Sequence, residues 1–115
     1  MPHLKIRTTQ PASDFDQEFF DQITDAIAAV NNKPKSYFLI DLKGDQKMSF
    51  GGTMGKVAHV TFSSIGKINA EMNAKCATAI FKSLNAKGVP SDRIYIEFRD
   101  LSRENTAWNN KLFSQ

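Results

Sequence analysis

The sequence predicts an α+β fold: two strand–helix–strand units sharing one four-stranded mixed sheet, with both helices on the same face. Three observations carry this. Residues Leu4 to Thr8 alternate apolar and polar, as a half-buried strand does. Two longer stretches, from Phe15 to Val30 and from Met72 to Leu84, repeat apolar residues at helical spacing. Each of these is followed, after a polar stop, by a short run rich in aromatic and β-branched residues. The halves share this pattern without sharing residues, and 115 residues suit a single domain spanning 1–115.

Taken in order, Leu4 and Ile6 face one way on the first strand and Lys5 and Arg7 the other. Gln10 to Asp14 form a turn ending in helix-capping residues, with Ser13 or Asp14 expected as the cap. The first helix runs to about Asn31 on a buried stripe of Phe15, Phe19, Ile23, Ala26, Ile27 and Val30, until Asn31-Asn32 and Pro34 stop it. Tyr37 to Leu42 is the second strand, and Met48-Ser49-Phe50 a short extended piece closed by Gly51-Gly52. Val57 to Phe62 is the third strand. A second helix starts near Asn69, with Met72, Cys76, Ile80 and Leu84 four apart, and ends at Gly88 before Pro90. Arg93 to Arg99 is the fourth strand, and a polar tail carries the anchors Trp108, Leu112 and Phe113. Because Val57–Phe62 and Ile94–Phe98 read as apolar on both sides, the helix-free sheet face is expected to be apolar and covered in an oligomer.

Composition narrows the function classes. Apolar content of 41% and charged content of 23% describe an ordinary globule. The net charge of +3 comes with interleaved acids and bases, and the nearest thing to a basic patch is Lys33, Lys35, Lys43 and Lys47. No nucleic-acid partner is expected. One cysteine, Cys76, excludes an intrachain disulfide and reads as a small packed hydrophobe. His3 and His59 lack ligand spacing, so neither metal nor other cofactor is expected. No apolar run approaches the ~20 residues that span a bilayer, and no charged-then-apolar leader opens the chain. The expected location is cytoplasmic, with a leaderless route if the protein acts outside, and no membrane partner.

The chain begins Met1-Pro2, and proline is small enough for the initiator to be trimmed away. Trimming leaves a secondary amine. An α-amino group titrates near ~8 when solvated, and burial lowers that value by penalising the cation. Such a group at the mouth of a pocket can be a general base at neutral pH.

Pro2 opening a strand, Lys33-Pro34, Met48 to Gly52, Ser64-Ile65-Gly66-Lys67-Ile68, Asp92 to Ile96 and Trp108-Asn109-Asn110 occur in fixed order. Together, across essentially the whole chain, they resemble the macrophage migration inhibitory factor family of the tautomerase superfamily, on the inhibitory-factor side rather than that of the D-dopachrome tautomerase sister. The resemblance implies a homotrimer with sheets inside, helices outside and active sites between subunits. It implies tautomerisation of phenylpyruvate and dopachrome derivatives, with Pro2 as catalytic base. Lys33 and the backbone N–H of Ile65 would hold the carboxylate of a small aromatic 2-keto acid, and Tyr95 of a neighbouring subunit would hydrogen-bond there. Tyr37, Trp108 and Phe113 would line an aromatic wall. Without the resemblance, Lys33 is a common helix-end cation, Tyr95 a core strand residue and Trp108 a packing anchor.

Three departures qualify it. Glu97 stands where well-known members carry a substrate-binding asparagine; an ionised carboxylate there would raise the pKa of a nearby proline amine. Val57-Ala58-His59-Val60 replaces a Cys-x-x-Cys motif, so thiol–disulfide exchange is not expected. Of a receptor-binding pair proposed in some members, Asp45 matches but Ala12 replaces the arginine. Two functional classes stay open: a tautomerase built on Pro2, or a secreted cytokine-like, host-modulating ligand with an idle pocket. The partner in the second case would be a cell-surface receptor such as the invariant chain.

Overall fold

The computed structural model describes the whole chain, Met1 to Gln115. Strand β1 (His3–Thr8) leads into helix α1 (Gln17–Asn31) and strand β2 (Leu39–Lys43). A small hairpin, β3 (Ser49–Phe50) and β4 (Thr53–Met54), precedes the second unit of β5 (Ala58–Ser64), α2 (Ala70–Asn85) and β6 (Ile94–Asp100). Strands β7 (Ala107–Trp108) and β8 (Lys111–Leu112) form a closing hairpin.

The main sheet has the order β2-β1-β5-β6. Within each strand–helix–strand unit the two strands are parallel; the units meet through the antiparallel pair β1–β5. Both predicted units and the four-stranded mixed sheet are therefore present. The side-chain period of two sends Leu4, Ile6 and Thr8 of β1 and Ala58, Val60, Phe62 and Ser64 of β5 toward the helices, where all are buried. They meet Phe19, Ile23 and Ile27 of α1 and Cys76, Ile80 and Leu84 of α2 in one core cluster. Fully burying each such aliphatic side chain is worth about 1.5–3 kcal/mol. Cys76 is packed among them, and burial pushes its thiol pKa up, which keeps it protonated and unreactive.

Several expectations change. The cap of α1 is Asp16, whose carboxylate accepts from the Phe19 N–H at 3.1 Å; Ala12–Asp14 instead form a short 3-10 turn ahead of it. Ser13 and Asp14 precede Phe15, whose ring must reach the core, so the helix starts only after that side chain is seated. Strand β2 starts at Leu39 because Lys35–Tyr37 make a 3-10 turn after Pro34. Trp108 and Leu112 are 52% and 38% exposed on the last hairpin and do not anchor the core. Its turn uses Asn109 and Asn110 at φ 51° and 68°, two left-handed residues in a row as a tight hairpin turn requires.

The helix-free face is not apolar. Pairing register lines it with His3, Lys5 and Arg7 of β1, His59, Thr61 and Ser63 of β5, and Glu97 and Arg99 of β6. Apolar residues on it, Leu39 and Tyr95, sit on the outer strands and are 53% and 66% exposed. Its polarity removes the argument for a buried apolar face, leaving exposed apolar residues only on the outer strands and hairpins.

Gly44 is required by close approach. A Cβ there would meet the Ala12 backbone nitrogen at 2.4 Å, and the adjacent Asp45 carboxylate accepts from that same N–H at 3.1 Å. The two positions of the half-matched receptor pair are thus neighbours, joined by that hydrogen bond.

Candidate active site

The N-terminal end of β1 is built by three segments. Pro2 is buried and its carbonyl accepts from Leu39 N–H at 3.0 Å, fixing the head of the strand between β2 and β5. Helix α1 stops at Asn32, in the left-handed region at φ 57°, and the turn carries Lys33 inward. Buried Asn31 shapes that turn, its side-chain oxygen accepting from Lys33 N–H at 3.0 Å.

The loop after β5 supplies the second wall. Gly66 and Lys67 both have positive φ, 73° and 58°, which folds Ile65 back toward α1. Four contacts hold this loop. The Lys33 amino group donates to the Ile65 carbonyl, and the Lys67 amino group donates to the Asn31 carbonyl at 2.6 Å. Gly66 N–H donates to the Asp100 carboxylate at 3.1 Å, and Leu101 N–H to the Ser64 carbonyl at 2.8 Å. The end of β6 is therefore stitched to the same loop.

Electrostatics at this end are strongly cationic. Burial, then Lys33, then Arg103 push the Met1 amine down to about 6. Lys33 is itself pushed down by burial, then by Lys67 and Arg103, against an opposing pull from Asp100. Arg103 was not picked out in the sequence: it lies in a polar turn with no motif, and its meaning comes only from where β6 ends.

Beside these cations Tyr37 packs edge-on against Trp108, with ring centroids 5.2 Å apart, and against Phe113 at 6.3 Å. With Lys111, Leu112 and Gln115 they line a depression of about 210 Å³. The chain thus joins Lys33 to Ile65 and sets both beside the N-terminal amine, and it gathers Tyr37, Trp108 and Phe113 into one wall.

It does not bring Tyr95 or Glu97 to Pro2. His3 is in register with Ser63 and Arg99, whereas Arg7 is in register with His59 and Tyr95. Tyr95 therefore lies roughly 13 Å along the sheet from the head of β1. It packs on Phe50 at 5.0 Å and lines a separate depression of about 370 Å³ with Met48, Gly51, Val57 and Ala58. Glu97 lies 2.9 Å from His59 Nε2 and accepts from Arg99 at 3.4 Å. The amine end and the Tyr95 depression thus lie at opposite ends of one sheet.

The largest depression, about 700 Å³, runs along α1 and the β2 edge past Phe20, Phe38, Leu39 and Ile40. Its only cation, Lys35, is paired with Asp25 at 2.9 Å, so it offers no free base.

Fold and site together define a class: an α+β protein of two strand–helix–strand units whose sheet carries the N-terminal amine at a cationic end. Residues 1–114 match the family model "Macrophage migration inhibitory factor (MIF)", and the chain belongs to this family. A Trichinella spiralis relative, a macrophage migration inhibitory factor homolog, is 32% identical over 114 residues, 98% of this chain and 100% of the relative. The solved structure of the Trichinella spiralis factor superposes with a TM-score of 0.88 at 31% identity, covering 96% of this chain and 98% of that one. A Prochlorococcus marinus homologue superposes with a TM-score of 0.91 at 24% identity, over 96% and 98% of the two chains, which bears on the fold alone.

Proposed function

We propose that the protein is a keto–enol tautomerase in which Pro2, freed of Met1, is the general base, and that phenylpyruvate or a dopachrome derivative is its kind of substrate. One observation carries the reading: the Met1 amine at the head of β1, partly buried beside Lys33, is pushed down to about 6. Removing Met1 moves the free amine one residue inward, onto the fully buried Pro2, in the same cationic surroundings. Desolvation and neighbouring cations act on it in the same direction, keeping it neutral and basic at pH 7. Moving a proton between the carbon and oxygen of an arylpyruvate needs one base of moderate pKa that can take the proton and return it. Lys33 supplies positive charge for the carboxylate, and Tyr37, Trp108 and Phe113 supply an apolar wall for the ring.

The working unit is a homotrimer in this reading. Support comes from the two partial sites at opposite ends of the sheet, which a head-to-tail ring would join, and from the exposed Leu39, Met54 and Tyr95. Tyr95 and Glu97 would then complete a neighbour's pocket.

A second reading, a leaderless secreted ligand with an idle pocket, draws on the names of the relatives. The hydrogen bond from Ala12 N–H to Asp45 weighs against its chemokine-receptor variant, since that carboxylate holds a backbone N–H and Ala12 stands in the arginine's place.

Phenylpyruvate tautomerisation measured against pH, on material whose intact mass proves loss of Met1, tests the proposal. A rate rising with a group well below an ordinary amine supports it. No rate above buffer at any pH, on trimeric material, sinks it and leaves the ligand reading.

A further inference from the structure

Three cations converge on the amine end, but they are not equally free. The Lys33 and Lys67 amino groups each already donate to a backbone carbonyl, of Ile65 and Asn31, and hold the pocket wall in place. Arg103 makes no side-chain hydrogen bond, and no carboxylate of the chain lies within salt-bridge reach of it; the acid before it, Asp100, is engaged by Gly66 N–H.

Its place is set from both sides. Leu101 N–H is fixed to the Ser64 carbonyl at 2.8 Å, next to Ile65, and Ser102 caps the 3-10 turn Arg103–Asn105 by accepting from Glu104 N–H at 3.1 Å. On the other side the Thr106 hydroxyl donates to the Ser102 carbonyl at 2.9 Å, and Phe113 N–H to the Thr106 carbonyl at 3.0 Å. The turn that carries the exposed Arg103 therefore links the strand end tied to the Ser64–Ile65 loop with the hairpin that carries Trp108 and Phe113. The charge of Arg103 is felt by both the N-terminal amine and Lys33.

We propose that Arg103 is a specificity-determining residue that grips the carboxylate of a 2-keto acid in a two-pronged hydrogen bond, with Lys33 as the second, wall-bound cation. This rests on the tautomerase reading. A guanidinium presents a planar fork of N–H donors matched to a carboxylate, whereas an ammonium offers a point charge. A fork with no partner inside the chain loses nothing when substrate arrives. The site is thereby tuned to acids over their neutral esters.

The experiment compares phenylpyruvate with its methyl ester in the parent enzyme and in Arg103→Ala and Arg103→Lys. Measured at a pH above the 8.0 of an ordinary terminal amine, so that the base is neutral in every variant, losing a charged hydrogen-bond pair should raise KM for the acid about ten- to a hundredfold in Arg103→Ala, with kcat and the rate on the ester little changed. Arg103→Lys should recover only part of the loss. Equal effects on acid and ester, or no change in KM for the acid, would overturn the assignment. A parent enzyme inactive on both substrates would instead mean that the tautomerase reading itself has failed.

Discussion

His59 Nε2 lies 2.9 Å from the Glu97 carboxylate across the paired strands β5 and β6, and Arg99 reaches the other oxygen at 3.4 Å. The carboxyl of Glu97 is held below the usual range, first by the His59 hydrogen bond and then by that of Arg99. Because its folded pKa is lowered, its contribution to stability is present above the ordinary glutamate value near 4.5 and is lost as pH falls through the lower folded one. Glu97→Gln should therefore flatten the acid edge of the stability profile below about pH 4.5, as read by urea midpoints at several pH values. In the proposed trimer, a Glu97 charge that already has two partners of its own would raise a neighbour's Pro2 pKa less than an isolated carboxylate would. Glu97→Asn should lower KM for phenylpyruvate modestly while leaving the pH midpoint nearly in place.

Pro2→Ala should retain the assembly state of the parent by sedimentation and lose roughly 10²–10⁴-fold in rate, the usual worth of a positioned general base. An unchanged rate would exclude Pro2 as the base.

The acid limb of the rate profile follows from the same amine. Below its pKa the amine is protonated and cannot take a proton, so activity rises with pH through that value. Lys33 is the second cause, after burial, of the lowered value at the N-terminus. Lys33→Met should move the acid limb to higher pH, toward the 8.0 of an ordinary terminal amine. A limb that stays put in this variant would remove Lys33 from the account.

Asp16→Ala should cost about 1 kcal/mol of unfolding free energy, the ordinary worth of a helix N-cap. Ser13→Ala and Asp14→Ala should cost far less. Denaturant titration of the three variants checks this ordering.

The β7–β8 hairpin depends on two consecutive left-handed asparagines. Asn110→Val, a β-branched residue where φ is 68°, should unseat Trp108 from Tyr37. The expected result is a red-shifted tryptophan emission and a higher KM for aromatic substrates, with the thermal midpoint of the core little affected.

How much of this was legible in the sequence varies with the physics. The α1 and α2 stripes were readable because apolar spacing is local, and Phe19, Ile23, Cys76 and Ile80 are buried as their positions predict. Ser13, Asp14 and Asp16 are all competent caps, and only the need to seat Phe15 chooses among them. The polar sheet face is written in the sequence too, since His59 and Thr61 alternate with Val60 and Phe62, although the mostly apolar run Val57–Phe62 reads as apolar on both sides. The closing hairpin has strands of two residues each, too short for any period, and Asn109-Asn110 was its one signal. Lys33 and Ile65 could be named from motifs, whereas Arg103 acquires a role only once β6 has carried the chain back to the first residue.

The inner position of β1 also governs how the chain can be made. Residues 3–8 are zipped to residues 58–63, with the first helix and three short strands between them. On a ribosome the first unit must wait, because β1 and β2 alone are two parallel strands with one side unclaimed. Loop-closure entropy across that interval is overcome only when β5 emerges, so the nascent first half has no native state of its own. The amine end of β1 is consequently among the last parts of the sheet to be locked, because its pairing waits on β5.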